Sequence, residues 1–170
     1  MRRALVPAAL VTLLVVAIQL EVFSSLRVSG VVFMLVWLWP LCVGLAGYTS
    51  LALFVALLGG VMFDTHATTP FGLTALVGMV LGYAASRLGR EGVGDLDSAA
   101  IWVTPVIAGV GGLLAPLLYV GGGCFELNFG LWRGSLLSSM LVNAGAFFLF
   151  SRWVSRFAKL VGGVGERARR

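Results

Sequence analysis

Side chains that could catalyse a reaction or bind a metal are few and widely separated in this chain. His66 is the only histidine, and Asp64 lies two residues before it, at the end of an apolar stretch. The pair could relay a proton or form a weak metal site, because ionisable groups in apolar segments are costly and usually functional. The alternative is structural, since this acid ends a helix beside a polar turn where water and backbone N–H groups are available. No second histidine or carboxylate cluster completes a metal site, so we predict no metal and no other cofactor.

Serine and cysteine give no pattern for nucleophilic catalysis. No serine lies in a Gly-x-Ser-x-Gly elbow, and no histidine is near Ser135, Ser138 or Ser139 in the sequence. Cys42 lies in a hydrophobic run and Cys124 in a predicted loop, without a CxxC partner or ligand spacing, so we expect no disulfide. We therefore predict no catalytic residues and no enzymatic activity.

The composition leaves too few polar residues to cover a water-facing surface. Of the 170 residues, 59% are hydrophobic and 11% are charged, whereas a soluble domain averages about 25% charged residues. This excludes a soluble enzyme, a disordered chain and a nucleic-acid-binding protein. The net charge of +5 comes from cations at the chain ends and in one loop, which indicates membrane orientation and contact with anionic lipids. We predict one multi-pass membrane domain over residues 1–170.

The uncharged stretches set the predicted architecture, because a spanning helix needs about 20 residues. Residues 28–63 contain no Asp, Glu, Lys or Arg and are too long for one helix. The Gly-Tyr-Thr-Ser segment at 47–50 supplies a turn, so we interpret this stretch as a hairpin of two short spans. The fold class is an all-α bundle of about six transmembrane helices, and a basic tail follows at 154–170. The predicted spans are residues 4–23, 31–47, 50–63, 71–87, 101–120 and 135–153.

Arginine and lysine are distributed asymmetrically among the predicted loops and ends, which predicts the orientation. With the N-terminus inside the cell, only Arg27 and Arg133 of the twelve cations lie outside. We therefore predict an even number of spans, with both termini, loop 2–3 and loop 4–5 in the cytoplasm. The ten cytoplasmic cations are Arg2, Arg3, Arg87, Arg90, Arg152, Arg156, Lys159, Arg167, Arg169 and Arg170.

Small residues recur at four-residue spacing inside two predicted spans. Ala52 and Ala56 share one helix face, and Gly78 and Gly82 share another, so a second helix can approach each pair closely. These faces either pack within the bundle or dock a helix of another protein.

Polar and aromatic residues in the spans carry further expectations. Asn143 is predicted to hydrogen-bond to a neighbouring helix, since an unpaired amide is costly in lipid. Three prolines are expected to kink or interrupt their spans; these are Pro40, Pro105 and Pro116. The tryptophans lie mostly near predicted span ends, where indoles favour the membrane interface; these are Trp37, Trp39, Trp102, Trp132 and Trp153.

The segment 54–86 contains a more specific pattern. A glycine-containing helix ends in Asp, a short turn with Pro-x-Gly-Leu follows, and the next apolar helix contains Gly-Tyr. This pattern resembles the MreD family of rod shape-determining membrane proteins, and the chain length, basic termini, six spans and last-span asparagine also fit. The residues of the motif are Gly59, Gly60, Asp64, Pro70, Gly72, Gly82 and Tyr83.

The motif also has a physical interpretation apart from the family. Gly59 and Gly60 thin one face of span three, so that another helix can come close. Asp64 can accept backbone N–H bonds from the turn or from the start of span four. Pro70 can start a helix, and Gly72 relieves crowding there. We predict a rigid connection between two helices that contains no reaction by itself.

The resemblance implies a non-catalytic scaffold of the bacterial elongation machinery, located in the cytoplasmic membrane. It would support cell shape and lateral peptidoglycan synthesis by binding an MreC-like single-span protein. Indirect partners would be the MreB filament, RodA and a penicillin-binding transpeptidase, with membrane lipids around it and no nucleic acid. The family also implies the six-helix fold of the S-components of energy-coupling-factor transporters. A vitamin-binding S-component is therefore the alternative, and its Ala-x-x-x-Ala face would be Ala52 and Ala56.

Overall fold

The chain folds as a bundle of helices, seen in a computed structural model that describes residues 2–23, 27–28, 31–32, 34–66, 70–90, 96–121, 137–149, 153 and 156. The predicted helical bundle is confirmed for this part of the chain, which also contains one pair of two-residue strands. Its α-helices are α1 (Arg2–Ile18), α2 (Leu38–Leu45), α3 (Thr49–Asp64), α4 (Leu73–Arg90), α5 (Leu96–Gly121) and α6 (Leu137–Leu149).

The segment between α1 and α2 departs from the predicted pattern. A π-helical turn, Gln19–Phe23, follows α1, and a 3₁₀ turn, Leu35–Trp37, precedes α2. Between them, β1 (Arg27–Val28) pairs antiparallel with β2 (Val31–Val32). A helix from residue 31 is therefore wrong, because β-branched valines on both sides of a Ser-Gly pair favour a short hairpin over a helix.

Successive helices run in alternating directions. Pro40 approaches Gly82 and Leu45 approaches Gly89, so α2 runs parallel to α4. Ala8 belongs to a cluster with Ala52 and Val55, and Thr12 approaches Gly59, so α1 runs parallel to α3. Antiparallel packing of α5 and α6 brings Gly112 to Ser139 and Gly109 to Ala144. The start of α1, the turn 46–48 and the end of α4 consequently lie at one end of the bundle, called the Arg90 end. The end of α3 and the start of α4 lie at the opposite end, called the Asp64 end.

The prolines have milder effects than expected. Pro40 lies in the first turn of α2, immediately after the 3₁₀ turn, where its missing N–H costs little. The helix α5 continues through Pro105 and Pro116, so neither interrupts it.

The interior of the bundle is mixed in polarity, and its surface is strongly apolar. Leu41, Leu81 and Phe147 form part of a hydrophobic core. Eight polar side chains are nevertheless buried among the residues whose side chains are described: Thr12, Gln19, Asp64, Thr74, Ser86, Thr104, Ser139 and Asn143. Large apolar side chains are exposed on α1, α3, α4, α5 and α6. Among the described residues, one helical stretch, Leu5–Val22, is long and apolar enough to cross a membrane.

The tryptophans divide between the core and the surface. Trp37 is 1% exposed and belongs to the hydrophobic core, so the prediction of an interfacial indole is wrong for this residue. Its position between α3 and α4 gives the ring apolar contacts that an interfacial position would lack. Trp102 and Trp153 are exposed, whereas Trp132 lies outside the described residues.

Candidate functional site

The helices α3 and α4 pack through the small residues singled out in the sequence. An added Cβ on Gly78 would lie 3.5 Å from Ala56 Cβ, and one on Gly82 would lie 3.5 Å from Ala52 Cβ. Ala52 is 0% exposed and Ala56 is 3% exposed. The two faces therefore pack against each other within the bundle, and this contact removes Ala52, Ala56 and Gly78 from any surface that could dock a partner.

Gly59 and Gly60 permit close approach on two different sides of α3. A Cβ on Gly60 would lie 2.2 Å from Ala75 Cα, so the backbone of α4 occupies that space. A Cβ on Gly59 would lie 3.0 Å from Thr12 Cγ2 and 3.3 Å from Val36 Cγ2. The prediction that both glycines open the same face of α3 is wrong, because adjacent residues of a helix point about 100° apart. Gly60 permits the close approach of α4, and Gly59 permits the close approach of α1 and of the residues that precede α2.

Asp64 connects the end of α3 to the start of α4. The Thr74 backbone N–H donates to Asp64 Oδ2 at 3.0 Å, and Asp64 is 4% exposed. Thr74 is the second residue of α4, whose first N–H groups have no partner within the helix. The predicted capping contact is therefore present, made by a carboxylate ten residues away in sequence.

The turn between these helices uses its proline and glycine differently from the expectation. Pro70 does not start α4; its carbonyl accepts a bond from the Leu73 N–H at 3.1 Å, and the helix begins at Leu73. Gly72 has φ 87°, and a Cβ there would meet nothing within 4 Å. Glycine is needed here because the backbone is left-handed, a conformation that is unfavourable for other residues. Crowding is not the reason.

His66 and Asp64 occupy different surroundings. The exposed His66 ring turns back on the end of α3, where Nδ1 lies 3.0 Å from both the Met62 carbonyl and Thr65 Oγ1. Asp64 is buried and directed towards α4. The described residues include no group of three potential metal ligands. A relay or metal site therefore gains no support from this geometry.

Two buried amides bind the start of α2, a feature that sequence reasoning found only in part. The Leu35 N–H donates to Gln19 Oε1 at 2.5 Å, and the Met34 N–H donates to Asn143 Oδ1 at 3.1 Å. Asn143 Nδ2 donates to the Ser139 carbonyl at 2.9 Å. The expected partner of Asn143 was a neighbouring helix, and the observed partner is the residue that precedes the 3₁₀ turn. For Gln19, the available signal was an uncharged amide in an apolar stretch.

At the opposite end, Arg90 joins α4 to the turn between α2 and α3. Its Nε donates to the Gly47 carbonyl at 3.3 Å, and an Nη donates to Thr49 Oγ1. Thr49 Oγ1 in turn donates to Ser86 Oγ at 3.0 Å. A Cβ on Gly89 would lie 2.3 Å from the Leu45 carbonyl oxygen, so the backbones of α2 and α4 meet closely here.

The remaining motif residue, Tyr83, lies on the surface of α4. It is 47% exposed, and the Arg87 guanidinium carbon lies 5.8 Å from the centre of its ring. This distance is within the range of a cation–π contact. Tyr83 is therefore the one member of the motif that presents a large side chain to the surroundings. Cys124, noted in the sequence, lies outside the described residues.

Comparisons of the chain with protein-family models, curated proteins and solved structures find no match.

Proposed function

We propose that this protein is a non-catalytic scaffold in the bacterial cytoplasmic membrane, similar in role to MreD. It binds an MreC-like single-span protein and, through it, takes part in the elongation machinery that maintains cell shape and lateral peptidoglycan synthesis. The resemblance at Gly59 to Tyr83 motivates the family, and the packing of the α3–α4 hairpin carries the scaffold role.

The distribution of polarity supports a membrane location. Buried polar side chains bind backbone groups inside the bundle, as Gln19 and Asn143 do at the start of α2. The exposed face of α1 carries large apolar residues such as Val6, Leu10 and Leu14. This arrangement suits a lipid solvent, where every backbone polar group must be paired internally.

The use of the motif residues supports a scaffold rather than a catalyst. Gly60 admits the backbone of α4, Asp64 binds a backbone N–H, and Gly72 provides a left-handed turn. Each contact holds the two helices in a defined relation. A rigid hairpin of this kind presents a constant surface to a partner, which lowers the entropy cost of binding.

The small-residue face that motivated the transporter alternative is occupied. Ala52 and Ala56 pack against Gly82 and Gly78, so they are not free to meet a transport module. A vitamin pocket also needs several convergent polar groups, and Gln19 and Asn143 are engaged with the backbone. These observations favour the scaffold over the S-component.

Depletion of the protein in its native bacterium tests the proposal. We expect cells to round or to grow irregularly, and an affinity-tagged copy to recover a single-span membrane protein. A tagged Gly60→Leu variant should fail to restore shape, whereas Gly145→Leu provides a matched control in open space. Normal shape, recovery of a pair of ATPases and loss of uptake of one vitamin would instead identify a transporter subunit.

A further inference from the structure

We propose that the exposed face of α4 binds one anionic phospholipid, with the lipid phosphate on Arg87 and an acyl chain along Leu76 and Val80. The lipid belongs to the leaflet at the Arg90 end of the bundle. This inference rests on the proposed membrane location but not on the scaffold role. It assigns a ligand to the exposed face of α4, where the scaffold role names no specific contact.

A continuous stripe of exposed side chains runs along α4. Leu76, Val80 and Tyr83 are 47%, 49% and 47% exposed, and exposed Arg87 ends the stripe. Their spacing of four, three and four residues places them on one helix face. At 1.5 Å per residue, the stripe is about 16 Å long. This length matches one leaflet, which is half of a hydrocarbon core roughly 30 Å thick.

The two arginines at the end of α4 have different tasks. Arg90 stabilises the fold, because its guanidinium donates hydrogen bonds to the Gly47 carbonyl and to Thr49 Oγ1. Arg87 instead extends over the Tyr83 ring at 5.8 Å. This cation–π contact holds the guanidinium near the ring. The planar guanidinium has N–H groups whose geometry matches two phosphate oxygens. Arg87 therefore supplies the phosphate contact.

The shape of the stripe favours a lipid over a partner helix. Close helix packing in membranes uses small residues, and the three glycines of α4, Gly78, Gly82 and Gly89, already meet other helices of the bundle. The exposed stripe carries bulky side chains that suit a flexible acyl chain. Its cation lies at the end that also contains the start of α1, with Arg2 and Arg3 in the sequence. Anionic leaflets are attracted to such basic ends.

Acidic residues that follow α4 are the natural competitors for Arg87. Glu91, Asp95 and Asp97 come next in the sequence, and their side chains lie outside the described residues. A carboxylate and a phosphate would bind the same guanidinium edge. Lipid binding by the full chain separates the two cases, because a carboxylate that holds Arg87 would make the arginine irrelevant to lipid affinity.

Native mass spectrometry of the purified full-length protein in detergent, titrated with phosphatidylglycerol or phosphatidylcholine, measures this binding. We expect phosphatidylglycerol to bind more tightly, and Arg87→Gln to weaken it by about tenfold through loss of a charge-assisted contact. Tyr83→Leu should weaken it by about threefold through loss of the ring, and Tyr83→Phe should leave it unchanged. Arg90→Gln is the matched charge control: it should lower the melting temperature without changing the affinity of the folded protein.

Three results would overturn the lipid site. They are an unchanged affinity in Arg87→Gln, equal affinity for the two lipids, and displacement by soluble glycerol phosphate at the same concentration as lipid. The last would identify a site for free phosphate. Failure of this proposal is distinguishable from failure of the scaffold role, because cell shape and partner recovery are measured separately. Extraction of the chain from membranes by carbonate would remove the basis of both.

Discussion

At the residue scale, Asp64 contributes a hydrogen-bond acceptor to the connection between α3 and α4. Its Oδ2 atom receives the Thr74 N–H at 3.0 Å. Asp64→Asn keeps an acceptor, so we expect near-normal stability and function. Asp64→Ala should cost about 1 kcal/mol, the typical cost of losing a helix cap. Thermal unfolding in detergent and complementation of cell shape check these outcomes, with exposed His66→Ala as a mild control. Complete loss of function in Asp64→Asn at normal membrane levels would indicate a role for the charge.

The amides of Gln19 and Asn143 stabilise the same turn from opposite ends of the chain. Their oxygens accept the Leu35 and Met34 N–H groups, which have no partner within the helix that follows. Asn143→Leu keeps a similar volume but leaves the Met34 N–H unpaired, so we expect a loss of about 1–3 kcal/mol.

Unfolding of Gln19→Leu, Asn143→Leu and the double variant measures this contribution. Because the two contacts fix adjacent residues, the losses should be non-additive. Additive losses would mean that the amides act on independent parts of the bundle, and no loss in either variant would contradict the capping role.

At the element scale, the α3–α4 hairpin depends on one glycine more than on the others. A methyl group on Gly60 would lie 2.2 Å from Ala75 Cα, whereas one on exposed Gly145 would meet nothing within 4 Å. We therefore expect Gly60→Ala to destabilise the bundle by about 1–3 kcal/mol through overpacking. Gly145→Ala should be neutral, or should stabilise α6 by about 0.5–1 kcal/mol through helix propensity.

Helical circular dichroism during heating compares the two glycine variants directly. Equal melting temperatures for Gly60→Ala and Gly145→Ala would show that α3 and α4 do not meet as closely as the contact requires. A lower melting temperature for Gly145→Ala than for Gly60→Ala would reverse the proposed roles of the two positions.

The hairpin shows what sequence reasoning can recover, and the start of α2 shows what it cannot. The four-residue spacing at Ala52, Ala56, Gly78 and Gly82 indicates close packing, because only small side chains permit it. It does not say which face meets which, since each face could equally serve another protein. Trp37 was misplaced for a related reason: an indole favours both a membrane interface and a core, and only the surrounding helices decide between them.

The start of α2 was missed because its stabilising contacts are remote. Gln19 and Asn143 lie 16 and 109 residues from the N–H groups that they accept. Composition identifies only an uncharged stretch from residue 28 to 63. It therefore predicts that the second span is already helical from residue 31. The local signal, Val28 and Val31 around a Ser-Gly pair, favours a hairpin.

At the scale of the whole molecule, the order of helices gathers the basic segments at one end. Arg90, the last residue of α4, binds the turn between α2 and α3, so the end of α4 lies beside this turn. The parallel packing of α1 on α3 brings the N-terminus to the same end, and α6 runs antiparallel to α5. Because α5 begins six residues after α4 ends, it starts at the Arg90 end, and α6 therefore runs towards that end. From the cation bias we predict that this end faces the cytoplasm.

This arrangement predicts the topology of every connection in the cell. Reporter fusions after residues 48, 92 and 160 should be active only as cytoplasmic reporters, and fusions near residues 29, 68 and 128 only as external ones. The strongest check is the fusion at 68, because the helix between positions 48 and 68 is α3, which has only 16 residues. That helix is about 24 Å long at 1.5 Å per residue, near the lower limit for crossing the hydrocarbon core. If fusions at 48 and 68 report the same side, α3 enters and leaves one leaflet instead of crossing. An external fusion at 160 would contradict the even number of crossings and the assignment of the Arg90 end to the cytoplasm.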